Sequence, residues 1–104
     1  NGAFTFSDIV EINVMAPVEF ALEQNYPNPF NPSTLISYSI PQNSFVTLKV
    51  YDIIGNEVVT LVNQTQTAGK YDIRVDASKL SNGVYFYTIK ADNFTSTRKM
   101  ILMK

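Results

Sequence analysis

Catalysis near neutral pH usually rests on an imidazole or a thiolate, and this 104-residue sequence contains neither histidine nor cysteine. Carboxylates, lysines and hydroxyls are what remain. Asp52, Asp72 and Asp76 could supply a carboxylate pair or a hard-cation site, but no Asp-x-Asp-x-Asp run or similar ligand spacing occurs. Solvated charges on strand faces are therefore the expectation, with no metal and no cofactor. No serine stands in a nucleophile elbow, so this chain is expected not to be an enzyme, whatever a longer parent does.

Recognition chemistry has two candidate sources. Tyr38, Tyr51, Tyr71, Tyr85, Phe86 and Tyr87 could line a sugar-binding face, because aromatic rings stack on pyranose faces and hydroxyls satisfy the rim. The absence of tryptophan weakens that reading, and tyrosines half-buried in a sheet with the phenol oxygen on water or backbone are the more ordinary outcome. The second source is Asn25-Tyr26-Pro27-Asn28-Pro29-Phe30-Asn31-Pro32-Ser33-Thr34, which holds three asparagines and three prolines in ten residues. Proline fixes its own φ and restricts the residue before it, so this is a stiff, kinked segment. It is expected to serve the fold, with Tyr26 and Phe30 plugging one end of a sandwich and asparagine side chains capping backbone groups.

The elements that would carry these residues read as strands. Ile36, Tyr38 and Ile40 alternate with polar neighbours, as do Val46, Leu48 and Val50, and then Tyr71, Ile73 and Val75 against Asp72, Arg74 and Asp76. Pro41 to Ser44 supplies one turn, and Asp52 to Asn56 another, with Gly55-Asn56 able to accept positive φ. Glu57 to Val62 returns as a strand. Ala77 to Leu80 suggests a single helical turn. Val84 to Ile89 is apolar on both faces, which predicts a central strand covered on both sides. After an Asp92-Asn93 turn, Thr95 to Met103 closes the chain, with Met100 and Leu102 as core residues. Short strands at near-regular spacing with turn residues between them predict an all-β antiparallel sandwich.

Eight basic and nine acidic residues, scattered without runs, give no reason to expect nucleic acid or an anionic membrane as partner. No apolar run approaches the roughly 18 residues that span a bilayer. A start at Asn1 rather than methionine predicts a piece of a longer chain. Phe4 to Val14 reads as a strand ended by Met15-Ala16-Pro17, so residues 1–16 are expected to be the closing strand of a preceding fibronectin-like domain or a linker. Pro17 to Glu23 would then be the joint. The rival is that this strand belongs to the same sheet as the rest.

From Phe20 to Lys104 the chain resembles the C-terminal sorting domain of the type IX secretion system, found on proteins exported by Bacteroidetes and related phyla. The matching pieces are Leu22 to Thr34, Val46 to Asp52 with Gly55, Ala68-Gly69, Gly83-Val84-Tyr85-Phe86-Tyr87, and Lys99-Met100-Ile101-Leu102-Met103-Lys104. The immunoglobulin-like domain of flagellar hook-capping proteins shares much of the pattern and would make the chain an assembly module.

The sorting resemblance implies a seven-stranded immunoglobulin-like sandwich over residues 17–104 that acts as an address. It implies export through the periplasm to the cell surface or beyond, with an outer-membrane translocon and a sortase-like peptidase as partners and a cargo domain upstream in the same chain. The part that is read is expected to be Lys99, Met100, Ile101, Leu102, Met103 and Lys104, an edge strand to which another chain could add a strand. Asn25, Tyr26, Pro27, Asn28, Pro29, Phe30, Asn31, Pro32, Gly55, Gly69, Gly83 and Tyr85 are motif residues with mainly structural roles. The alternative from a different class is a carbohydrate-binding accessory module of a secreted polysaccharide-degrading enzyme.

Overall fold

Alternation of apolar and polar residues dictates strands whose one face must be buried, and two such faces close on each other here. The computed structural model describes residues 17–104. Its strands are β1 (Ala21–Leu22), β2 (Ser33–Ile40), β3 (Ser44–Tyr51), β4 (Glu57–Gln66), β5 (Gly69–Asp76), β6 (Gly83–Ala91) and β7 (Phe94–Leu102). They form two antiparallel sheets, three-stranded β1-β2-β5 and four-stranded β4-β3-β6-β7. The chain crosses between sheets after β2, after β4 and after β5, an immunoglobulin-like three-on-four sandwich.

The predicted inward residues are the core. Ile36, Ile40, Val46, Leu48, Val50, Tyr87, Ile89, Met100 and Leu102 are completely buried, with Tyr38 and Tyr85 beside them. Each such aliphatic side chain contributes about 1.5–3 kcal/mol relative to exposure. Outward residues on β5 are charged and exposed, as the period requires.

The turn at Asp52 to Asn56 is built by side chain and backbone together. Asp52 Oδ1 accepts from the amides of Ile54 (3.1 Å) and Asn56 (2.9 Å), while the Gly55 amide donates to the Asp52 carbonyl at 3.0 Å. Gly55 has φ 93°, a conformation that penalises any Cβ.

Four expectations change. Pro17 to Glu23 is more than a joint, because Ala21 pairs with Ser39 and Leu22 with Tyr38, so this stretch already contributes strand β1 to the sandwich. Ala77 to Leu80 is a turn closed by Leu80 N to Ala77 O, not a helical turn. β4 runs on to Gln66. β6 is central in its sheet, yet only one face is covered: Val84 and Phe86 on the other remain half-exposed. The expectation for residues 1–16 lies outside the described residues.

Candidate recognition site at the C-terminal strand

The Asn/Pro segment and the C-terminal strand, 67 residues apart from Pro32 to Lys99 in sequence, meet in space. Outward-pointing amides of an edge strand need partners, and the loop supplies them. Phe30 lies alongside Leu102 as an isolated parallel bridge: its amide donates to the Ile101 carbonyl (2.9 Å) and its carbonyl accepts from the Met103 amide (3.0 Å). The Ile101 amide donates to Asn28 Oδ1 at 2.9 Å. Gln24 Nε2 donates to the Lys99 carbonyl, and Arg98 Nε to the Leu22 carbonyl, extending the seam toward β1. The edge from Lys99 to Met103 is thus covered by the chain itself.

The loop is held from below by Asn25, which is 2 % exposed. Its Nδ2 donates to Thr34 Oγ1 (2.9 Å) and to the Pro27 carbonyl (3.1 Å), and the Thr34 hydroxyl donates to the same carbonyl at 2.9 Å. The Asn25 amide donates to the Tyr87 hydroxyl, which in turn donates to the Glu23 carbonyl, both at 2.7 Å. Burial pushes the Tyr87 phenol above its ordinary pKa, so the proton that makes the second bond is retained. The three Xaa–Pro bonds, before Pro27, Pro29 and Pro32, are cis.

Several expected site residues are placed differently from the sequence reading. Phe30 plugs the sandwich as expected, but Tyr26 does not: its side chain is 81 % exposed, and only its backbone bridges Leu35. Pro27, Asn28, Pro29 and Asn31 are exposed, and Pro32 is half-exposed. Met100 and Leu102 are wholly inside, so their side chains cannot be read while the domain is folded. Lys99, Ile101, Met103 and Lys104 form the accessible part of the segment. Lys104 is tied down: its amide donates to Asn82 Oδ1 (2.8 Å) and its Nζ to the Ser78 carbonyl (2.7 Å). Gly69 and Gly83 open β5 and β6, and buried Tyr85 sends its hydroxyl to the Ser81 carbonyl.

Alternation could not reveal Asn28, Gln24, Arg98 and Asn82 as partners of the terminal strand, because each acts through a long-range side-chain-to-backbone bond. The only signal was the density of asparagine, a residue that bonds backbone readily.

The aromatic set does not gather on one face. Tyr38, Tyr85 and Tyr87 are core residues, Tyr71 stacks on Tyr38 at 5.3 Å, and Tyr51 and Phe86 are neighbours on the outer face of the larger sheet. Tyr38 donates to Gln66 Oε1, and burial pushes its phenol up to about 12. The aspartates are engaged separately: Asp52 in its turn, Asp72 by the Ser37 hydroxyl, Asp76 by the Ser78 amide, which holds the Asp76 carboxyl below its usual range. Among the described residues no three histidine, cysteine, aspartate or glutamate side chains are grouped to hold a metal ion.

Two sheets in this order and a terminal strand clamped by an aromatic-anchored loop define an immunoglobulin-like sandwich module. Its distinctive surface is the loop and strand together. The family model of the secretion system C-terminal sorting domain matches residues 24–103, and the chain belongs to that family, the sorting domains of the type IX system. No curated protein matches it. Among solved structures, the Ig1 domain of mouse SynCAM 2 is 14 % identical, with 69 % of this chain and 81 % of that one covered and a TM-score of 0.39. That likeness adds nothing to the fold assignment made above.

Proposed function

We propose that the chain is a non-catalytic address that directs a cargo protein, carried in the same polypeptide, through the type IX machinery to the cell surface. It is read there by the outer-membrane translocon and a sortase-like peptidase. The observation that carries this reading is that the family match spans both the motif loop and the terminal strand, which the fold joins into one surface. The face offered is Lys99, Ile101, Met103 and Lys104 beside Asn28. Met100 and Leu102 support the reading by holding that strand in register.

The test is a reporter fused ahead of this chain and expressed in a cell that possesses the type IX system. Exchanging buried Met100 or Leu102 for charge would test folding, so the informative variant is Lys99→Glu with Met103→Glu, both on exposed side chains. Expected is a reporter retained in the cell with the melting temperature of the domain unchanged. Export at the parental level would remove this surface as the reading site.

A further inference from the structure

A two-sheet sandwich has four edges, and an unprotected edge invites pairing with another chain. Three of the four are closed here by different devices. β1 is only two residues long. β7 is covered from Lys99 to Met103 by Phe30, Asn28 and Gln24, leaving Thr95 and Thr97 as its only outward-pointing residues away from the cover. β4 breaks register twice against β3, between Leu48 and Lys49 and between Val50 and Tyr51, so Leu61 and Val58 are supernumerary. Such bulges twist an edge away from regular pairing.

β5 is different. It pairs with β2 over all eight residues from Ser33↔Asp76 to Ile40↔Gly69 without a register shift, and it is the outer strand of its sheet. The Ala77 amide donates to the Pro32 carbonyl, so the odd positions point at β2. The alternation of antiparallel bonding then turns the backbone of Lys70, Asp72, Arg74 and Asp76 outward. Among the described residues nothing pairs with them.

Beside this edge the sandwich is open. The link between β4 and β5 is only Thr67-Ala68, which pins the two sheets together at one end; toward the other end they part around a groove of about 330 Å³. Val58, Val59, Leu61, Val75 and Leu80 line it, and both bulged residues are among them. The opposite seam is zipped by Phe30 and by the Arg98 and Gln24 bonds.

We infer that the outer edge of β5 and the adjoining groove dock an extended peptide segment of a partner protein, with aliphatic side chains inward and alternating charges outward. Its backbone pairs with Asp72, Arg74 and Asp76 in the manner of an added strand. Every second side chain enters the groove against Val58, Leu61 and Leu80. The intervening side chains face the series Lys70, Asp72, Arg74, Asp76, which alternates in sign along the strand. A partner strand with the opposite alternation is therefore selected over a uniformly charged one, because like charges directly opposite are unfavourable. This surface is separate from the loop-clamped strand, so the inference stands whether or not that strand is what the export machinery reads.

The test uses the 104-residue chain and a capped octapeptide that alternates valine with lysine and glutamate, followed by amide hydrogen exchange and two-dimensional NMR. Expected are slowed exchange at the Asp72, Arg74 and Asp76 amides, by about tenfold or more at saturation, and methyl shifts at Val58, Leu61 and Leu80. Arg74→Pro removes an outward N–H at a position where proline is tolerated and should abolish that protection. Should that variant fail to fold, Asp72→Lys serves: it should weaken binding several-fold and be rescued by a peptide in which only the lysine opposite position 72 is exchanged for glutamate. No protection with saturating peptide, protection confined to β4 or β7, or protection arising without peptide through a dimer of the chain would each overturn the inference.

Discussion

Replacing Phe30 by alanine removes a ring that is 2 % exposed and leaves a void under the terminal strand. Such truncations cost about 3–5 kcal/mol, so chemical denaturation of the variant should show a loss of that order with the slope unchanged. Tyr87→Phe asks a narrower question, since it keeps the ring and deletes only the hydroxyl that accepts from Asn25 N and donates to Glu23 O. The buried Asn25 amide is then left unpaired, at about 1–3 kcal/mol, while the part-buried Glu23 carbonyl loses its donor at a smaller cost. A loss no greater than a few tenths would mean that water replaces the hydroxyl. These residues show where sequence reading stops: Tyr87 was recognisable as a tyrosine needing a polar partner, but nothing in its own strand says that the partner is the loop at Glu23 and Asn25.

At the scale of elements, the loop and β7 behave as one unit because the edge amides of Ile101 and Met103 have their partners in Asn28 and Phe30. Asn28→Ala leaves Phe30 bridging but frees the Ile101 amide. Amide exchange at Ile101 should accelerate about tenfold while Leu48, deep in β3, is unaffected; equal acceleration at both would mean global destabilisation instead. The strands themselves were legible wherever one face is buried, as in Ile36/Tyr38/Ile40 and Val46/Leu48/Val50, since a period of two is a direct consequence of the pleat. β1 is not legible because two residues carry no period, and Ala77-Ser78-Lys79-Leu80, four residues with two polar ones at the centre, suits a turn and a helical turn equally. Val84 and Phe86 gave β6 the look of a strand covered on both faces. Their half-exposed positions show that apolar character alone does not establish a second covering layer.

For the whole molecule, the sandwich followed from alternation and turn chemistry, while the site did not, because it is made by two segments that only the closed fold brings together. The asymmetry of the seams belongs to that same level: one is zipped by polar side chains, the other rests on the Thr67-Ala68 crossover. Tyr38 sits near that crossover, donating to Gln66 at the end of β4 and stacking on Tyr71 of β5. Its phenol ionises at about 12 in the folded chain against an ordinary 10, and that of Tyr87 is raised as well, in both cases chiefly because burial disfavours the phenolate. In the unfolded chain both protons leave near pH 10. Folding therefore holds extra protons between the two values, and stability must fall as pH rises through that window. The contribution is complete below pH 10 and is lost progressively up to about pH 12, amounting for Tyr38 to about 3 kcal/mol. Denaturant midpoints measured across this range should drop steeply for the parent chain and much less for Tyr38→Phe, with Tyr87→Phe flattening the curve further. A parent midpoint that stays level to pH 12 would show that the crossover end opens readily enough to admit water to Tyr38, and would relocate the weak seam of the sandwich from the β4/β5 groove to the crossover itself.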